Sequence, residues 1–335
     1  MTPSPRVQPH ATAPVATNAP DACSVLWDRS GASAYGTAAV ARFFVALEQP
    51  GPWGRNAARE SHLGASLGEA LETRCSSRGG RFMLLRRPGR HPDTAGPVTV
   101  LVAHAGTVPG GAWLLRGRLD RPEQLLGLDW DAVASGHRDV VAASLPGAAP
   151  APPTLLVCTN GRRDVCCATR GRPVAAAAAA GSPGQVWESS HTGGHRFAPT
   201  GVLLPWGQTF ARLSPELAAA ALASAVRGHI PGGLLGPIHD RGRSALAPDA
   251  QCAESSIRAR IGEEDLAALW AEPASPDAGA DETLVRHRDG RAWVVTVSRQ
   301  PTGAQHPESC HKDPVPVLEY HPTAIRPVPP HQGLG

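Results

Sequence analysis

Glycine or proline stands at about one position in five of this chain, 36 glycines and 34 prolines in 335 residues. Proline lacks a backbone donor and glycine weakens regular elements, so a loop-rich protein with some mobile segments is expected. Hydrophobic residues make up 41%. That is enough for a true core and excludes disorder throughout. The length suits two or three ordinary domains.

Charge narrows the function less than its sign suggests. The formal net charge is +3 and Lys312 is the single lysine, so nearly all the basic residues are arginines. Arginine over lysine, with abundant Ala, Gly and Pro, reflects codon bias in a GC-rich genome. No concentrated basic stripe with interleaved aromatics occurs, so nucleic acid is not an expected partner. No apolar run approaches a membrane span, and residues 1–20 lack the apolar centre of a secretory signal. Seven cysteines, an odd and scattered set, argue for metal-binding or redox thiols in a reducing compartment rather than a disulfide scaffold. A cytoplasmic location, away from membranes, is expected.

Four segments follow from the pattern. Residues 1–20 read as a disordered lead. Residues 21–148 read as an N-terminal α/β domain. Its strands are expected in Ala39–Glu48, Phe82–Arg86, Val98–Ala103 and Trp113–Leu119, with a helix over Leu63–Ser76 and a short one at Pro122–Leu126. The Pro/Ala stretch 146–153 reads as a linker. Residues 149–228 follow the order β-α-β-β-β-α, which suits a thioredoxin-like unit: strand Thr154–Cys158, a helix containing Val174–Ala180, strand Gln185–Ser189, a hairpin of Val202–Leu204 and Thr209–Leu213, and helix Pro215–Val226 capped by Ser214. Residues 229–335 read as a small α+β segment. Helices are expected at Ala253–Arg260 and Glu263–Trp270, a hairpin of Thr283–His287 and Ala292–Ser298 turning at Asp289-Gly290, a last strand at Val315–Tyr320, and a loose tail from Pro322. No internal repeat is visible.

The chemistry gathers in the third segment. Cys158 closes a strand, Cys166 and Cys167 lie where the next helix starts, and His191 and His195 flank a Gly-Gly loop after the following strand. Two thiolates and two imidazoles suit a tetrahedral Zn²⁺ site or an iron–sulfur cluster with cysteines on one iron and histidines on the other. No Cys-x-x-Cys knuckle is present, and the long spacing favours an object bulkier than one ion. Consecutive glycines argue for a loop that wraps the site and brings backbone N–H groups close. Cys158 with Cys166 or Cys167 could instead serve a thiol-disulfide oxidoreductase. Cys23, Cys75, Cys252 and Cys310 have no visible companions and read as structural. Trp53 and its Pro-Gly-Pro turn read as packing.

The stretches Cys158-Thr-Asn-Gly-Arg-Arg-Asp-Val-Cys-Cys-Ala, Val186-Trp-Glu-Ser-Ser-His-Thr-Gly-Gly-His-Arg-Phe-Ala-Pro and Leu204-Pro-Trp-Gly resemble the sucrase/ferredoxin-like family. Leu47-Glu-Gln-Pro-Gly-Pro-Trp-Gly is similar to its bacterial members, so the likeness covers roughly residues 23–320. It implies a thioredoxin-like [2Fe–2S] ferredoxin domain with cluster ligands Cys158, Cys167, His191 and His195. Cys166 is second choice, standing where other members often carry Arg, and Asn160 replaces a frequent His. Arg163, Asp164 and Arg196 are implied as supporting groups around the ligands. The resemblance implies an electron carrier rather than a catalyst, served by an unidentified reductase and acceptor. Neutral imidazole ligands imply a raised reduction potential and electron uptake coupled to proton uptake. No carboxylate pair is placed for glycoside hydrolysis, so a sucrase is not expected. No Gly-x-Gly-x-x-Gly follows a strand, so no nicotinamide or flavin site is expected.

Overall fold

The computed structural model describes residues 22–89, 96–274, 281–310 and 312–329. The expected lead, residues 1–20, lies outside them. In chain order the first elements are α1 (Cys23–Arg29), β1 (Phe43–Glu48), α2 (Ala57–Glu60), α3 (Ala65–Ser76), β2 (Gly80–Arg86), β3 (Val98–His104), β4 (Trp113–Leu119), α4 (Trp130–Ser135) and α5 (Arg138–Ser144). The middle of the chain supplies β5 (Ala149–Pro150), β6 (Thr154–Cys158), α6 (Val165–Gly181), β7 (Val186–Ser189), β8 (Gly201–Leu204), β9 (Gln208–Phe210) and α7 (Pro215–Ala225). Last come β10 (Asp240–Arg243), α8 (Pro248–Ile261), β11 (Leu269–Pro273), β12 (Glu282–His287), β13 (Ala292–Pro307) and β14 (Pro314–Val328). The fold is α/β, as the alternating elements in the sequence indicate.

Ten strands form one sheet in the order β10-β9-β8-β6-β7-β2-β1-β3-β4-β5. Read from its middle, this order is a palindrome. β1 is parallel to β2 and antiparallel to β3, which pairs antiparallel with β4. β6 is likewise parallel to β7 and antiparallel to β8, which pairs antiparallel with β9. Each half follows β-α-β-β-β-α, the order expected of a thioredoxin-like unit for the second half. The chain therefore repeats a topology without repeating a sequence, which is why no repeat is legible in the residues. The Pro/Ala stretch 146–153 does not separate two sheets. β5 lies inside it and pairs with β4, while β2 and β7 join the halves antiparallel.

The β2–β7 seam is narrow, with Leu85 opposite Ser189 and Arg86 opposite Glu188. Arg86 donates to Glu188 at 2.7 Å, Thr159 Oγ1 donates to the same carboxylate at 2.8 Å, and both ion-pair side chains are buried. Trp53 is buried under the Arg86 guanidinium, 4.3 Å from its ring, and its indole donates to Gln49 O. Trp53 thus serves packing. The unbroken apolar run of β1 is buried on both faces. Phe43, Val45 and Leu47 pack with α3–α5, while Phe44 and Ala46 share a second core with Met83, Leu156 and Trp187 from both halves.

Two expectations at the C-terminal end are corrected. Residues Glu263–Trp270 are not helical. Gly262, at φ 66°, ends α8, the Asp265 carboxylate caps a turn by accepting from Ala267 N at 2.7 Å, and Leu269 starts a strand. The chain after Pro322 is not loose as far as Val328. It continues β14 along β13, with Ala292 opposite Val328. β14 is an edge strand of the order β11-β12-β13-β14, where prolines are tolerated because one row of N–H groups needs no partner. The long β13–β14 hairpin extends beyond this small sheet, and its tip carries Ser309 and Cys310 to the start of α6.

Candidate functional site

The site lies at the carboxyl ends of the parallel strands β6 and β7, where open α/β sheets bind ligands. β6 ends on Cys158. The side chain of Asn160 then folds the turn by accepting from Arg162 N and Arg163 N at 3.1 and 3.3 Å, and it donates to Gly54 O at 3.1 Å. Asp164 caps α6 by accepting from Cys166 N at 2.9 Å. Both adjacent cysteines therefore fall in the first helical turn, pointing about 100° apart. Cys167 turns to Cys158, and Cys166 turns away towards α1 and the hairpin tip.

The residues expected to hold a cofactor come together. The Cys167 and His191 side chains both neighbour Cys158. The His191 and His195 rings sit 5.6 Å apart, tilted by 33°. The thiols are buried and the imidazoles half-buried. Cys158 Sγ lies 3.2 Å from Ser190 O, a contact that suits an S–H. Against that single carbonyl, the neighbouring Cys167 thiol first, then His191 and the Thr192 backbone, hold Cys158 well below the ordinary thiol value. Cys167, donating to it and buried, is pushed up. Burial lowers the His195 imidazole. Nδ1 of His191 and Nδ1 of His195 are buried with no hydrogen-bond partner, although buried polar atoms are normally paired.

The histidine loop is held by two arginines that sequence reading missed. Arg81 donates to His191 O at 2.7 Å. The buried Arg241 donates to Gly193 O and Thr37 Oγ1 at 2.9 and 3.0 Å, and also to Thr37 O. Desolvation lowers the Arg241 guanidinium to about 9, while the nearby thiols of Cys158 and Cys167 oppose the shift. Gly193 and Gly194 have φ of 85° and 70°, and a Cβ on Gly194 would meet the Arg241 guanidinium at 2.4 Å. The Gly-Gly pair is thus required by a loop that wraps a buried cation. Arg241 lies in β10, far along the chain, with no motif to mark it.

A second thiol group stands beside the first. Cys23, Asp164, Cys166 and Cys310 offer ligand atoms all within 4.8 Å of one another, and this set could hold a metal ion. The Sγ–Sγ distances are 3.7 Å for Cys23–Cys166, 3.3 Å for Cys166–Cys310 and 3.5 Å for Cys310–Cys23. All three are free thiols. Cys166 takes hydrogen bonds from the other two and lies far below the ordinary thiol value, which pushes Cys310 up to about 12 and Cys23 higher still. Asp164 Oδ2 accepts from Ser309 Oγ and Cys310 N, both at 2.9 Å.

The sequence profile of the sucrase/ferredoxin-like family matches residues 34–231, more than half of the chain. The chain belongs to the sucrase/ferredoxin-like family. No curated protein and no solved structure matches it. The family match contains Cys158, Cys166, Cys167, His191 and His195 but neither Cys23 nor Cys310.

The reading of Cys23 and Cys310 as lone structural cysteines is therefore corrected, because the fold brings both to Cys166. Separations of 141 to 287 residues carry no spacing motif that could have announced the group. Cys75 and Cys252 are buried apart from it. Of the expected supporting residues, Asp164 belongs to this second group as well as capping α6. Arg196 pairs with Glu308 at 3.0 Å and lies 4.8 Å over the Trp27 and Phe197 rings, fixing the hairpin to α1. Arg163 lines two cavities, of about 170 Å³ beside His191 and about 320 Å³ beside Cys310. No helix among the described residues is long and apolar enough to cross a membrane.

Proposed function

We propose that the chain is a ferredoxin-type electron carrier whose [2Fe–2S] cluster is held by Cys158, Cys167, His191 and His195. The observation that carries this reading is the pair of orphaned Nδ1 atoms beside two associated thiols. A buried imidazole nitrogen without a partner costs about 1–3 kcal/mol, a cost that ligation removes. The donor set also fits in shape. These four residues do not gather within 4.8 Å of one another as the second thiol group does. A single zinc would draw four ligands to about 2.0–2.3 Å from one centre, whereas two irons need two separated pairs. That favours a cluster over zinc at these four residues. When bound, the group supplies one-electron transfer.

The chain's own residues position and protect. Arg81 and Arg241 fix the histidine loop through its carbonyls, and each imidazole keeps its second ring nitrogen available for a proton. Thiols inside and half-buried imidazoles outside leave an approach for a partner on the histidine side. Arg55, Arg81 and Arg163 line the cavity beside His191, and Arg162 and Arg172 line a neighbouring one of about 360 Å³. This cationic rim supports a reductase and an acceptor with acidic docking surfaces, whose binding weakens as salt rises. Seven free cysteines among the described residues suit a reducing, cytoplasmic setting.

The test is iron content and visible absorption of the chain purified without oxygen, compared with Cys158→Ser, Cys167→Ser and Cys166→Ser. Iron and colour lost in the first two and kept in the third support the assignment. Retention in Cys167→Ser with loss in Cys166→Ser moves the ligand by one residue. A colourless wild type with one zinc lost on Cys158→Ser replaces the cluster by a structural zinc, and metal-free disulfide reduction replaces it by a thiol oxidoreductase.

A further inference from the structure

We infer that Cys23, Cys166, Cys310 and Asp164 form a tetrahedral Zn²⁺ site, separate from the proposed cluster, that fastens α1 and the β13–β14 hairpin tip to the start of α6. The spacing matches the ion. With Zn–S near 2.3 Å, the edges of a tetrahedron put sulfurs about 3.8 Å apart. The three sulfurs already stand 3.3–3.7 Å apart, and the Asp164 carboxylate oxygens lie 3.7 and 3.9 Å from Cys23 Sγ. Buried cysteines ordinarily pack singly as small apolar residues. Three converging from three remote parts of the chain, around a carboxylate, have no such account.

The donor set selects the metal. Soft thiolates favour Zn²⁺, Cu⁺ or iron–sulfur chemistry, while the carboxylate oxygen is a poor ligand for Cu⁺ and a familiar one for zinc. The carboxylate is held from behind as ligating carboxylates are, by Ser309 Oγ and the backbone N–H groups of Cys166 and Cys310. Three thiolates and a carboxylate give the zinc site a net charge of −2. Arg162, Arg163 and Lys312 line the adjoining cavity of about 320 Å³ and offset it.

The site also explains the contact between parts that share no sheet. α1 and the hairpin tip meet through Trp27 Nε1 to Pro307 O at 3.0 Å, and around Cys23 and Cys166 the packing is only a small satellite core with Ala22 and Ala198. A metal cross-link supplies the stability that this little core lacks.

The experiment counts zinc and iron per chain in full-length protein purified without oxygen, for wild type, Cys310→Ser, Cys23→Ser and Cys158→Ser. We expect about one zinc in wild type and in Cys158→Ser, and a loss of at least tenfold in Cys310→Ser and Cys23→Ser with iron unchanged. Because Cys158→Ser addresses only the cluster, absence of iron alongside zinc that depends on Cys310 would defeat the cluster and leave this site standing. Should a variant fail to fold, labelling of wild type by a thiol alkylating reagent answers the question. Zinc removal should expose Cys23, Cys166 and Cys310 together, and added Zn²⁺ should protect all three. A wild type without zinc, zinc retained in Cys310→Ser, iron in place of zinc at these residues, a Cys166–Cys310 disulfide in the isolated protein, or labelling indifferent to zinc would each overturn the inference.

Discussion

Glu188→Gln tests whether the palindromic sheet is one structure or two halves in contact. The substitution leaves the Arg86 guanidinium, whose side chain is 9% exposed, without its counter-charge while keeping the polar contact to Thr159. Removing one member of a buried pair costs about 3–5 kcal/mol, because the remaining charge is stranded. Unfolding entropy is about 2.1 cal/mol/K per residue, so 335 residues give about 0.7 kcal/mol/K. The melting temperature should therefore fall by about 4–7 °C as a single transition, followed by circular dichroism and tryptophan fluorescence together. Arg86→Met should cost at least as much, since it strands a carboxylate that is 3% exposed and uncovers Trp53. The double variant Arg86→Met/Glu188→Leu should recover most of the loss, because two apolar side chains strand no charge. A cost below about 1 kcal/mol in both single variants, or two transitions of which one alone moves, would refute the joined sheet.

Gly171→Ala places a Cβ 2.3 Å from the Cys158 carbonyl oxygen. It should push α6 off β6, destabilise by about 1–3 kcal/mol, and lower iron content by separating Cys167 from Cys158. Asp240 is buried and desolvation raises its carboxyl from 3.8 to about 6, against the hydrogen bond from Gly242 N. A raised folded value contributes stability below pH 3.8 that is lost as pH rises to about 6. Asp240→Asn should therefore gain on wild type by about 2 kcal/mol between pH 4 and pH 7, measured by urea unfolding, and a flat difference would contradict the burial cost. Replacing His191 or His195 by Cys should keep iron while lowering the reduction potential by on the order of 100 mV, read by voltammetry. Unchanged potentials in both would remove these histidines from the ligand set.

Much of this was legible because it is local. β1, β3, β4 and β6 show as apolar runs between Pro/Gly breaks, Ser214 and Pro215 mark the start of α7, and Asp289-Gly290 marks its hairpin. The ligand candidates were legible because Cys158, Cys167, His191 and His195 crowd into 38 residues at strand ends. What was hidden is non-local. The duplicated topology leaves no trace because equivalent positions of the two halves carry different residues: Glu48 ends β1 where Cys158 ends β6. The Cys23–Cys166–Cys310 group depends on a hairpin too long to anticipate from a tail rich in proline. Arg81 and Arg241 act through backbone carbonyls, which no side-chain pattern encodes. That Cys166 and Cys167 face different neighbours follows from the first turn of α6, which the two adjacent letters do not reveal.

The most direct test of the central claim is the iron and acid-labile sulfide content of the full chain purified without oxygen, with its visible spectrum before and after dithionite. The account predicts about two irons and two sulfides per chain and absorption that bleaches on reduction. Protein that is folded by circular dichroism yet colourless, without iron or sulfide, would contradict it.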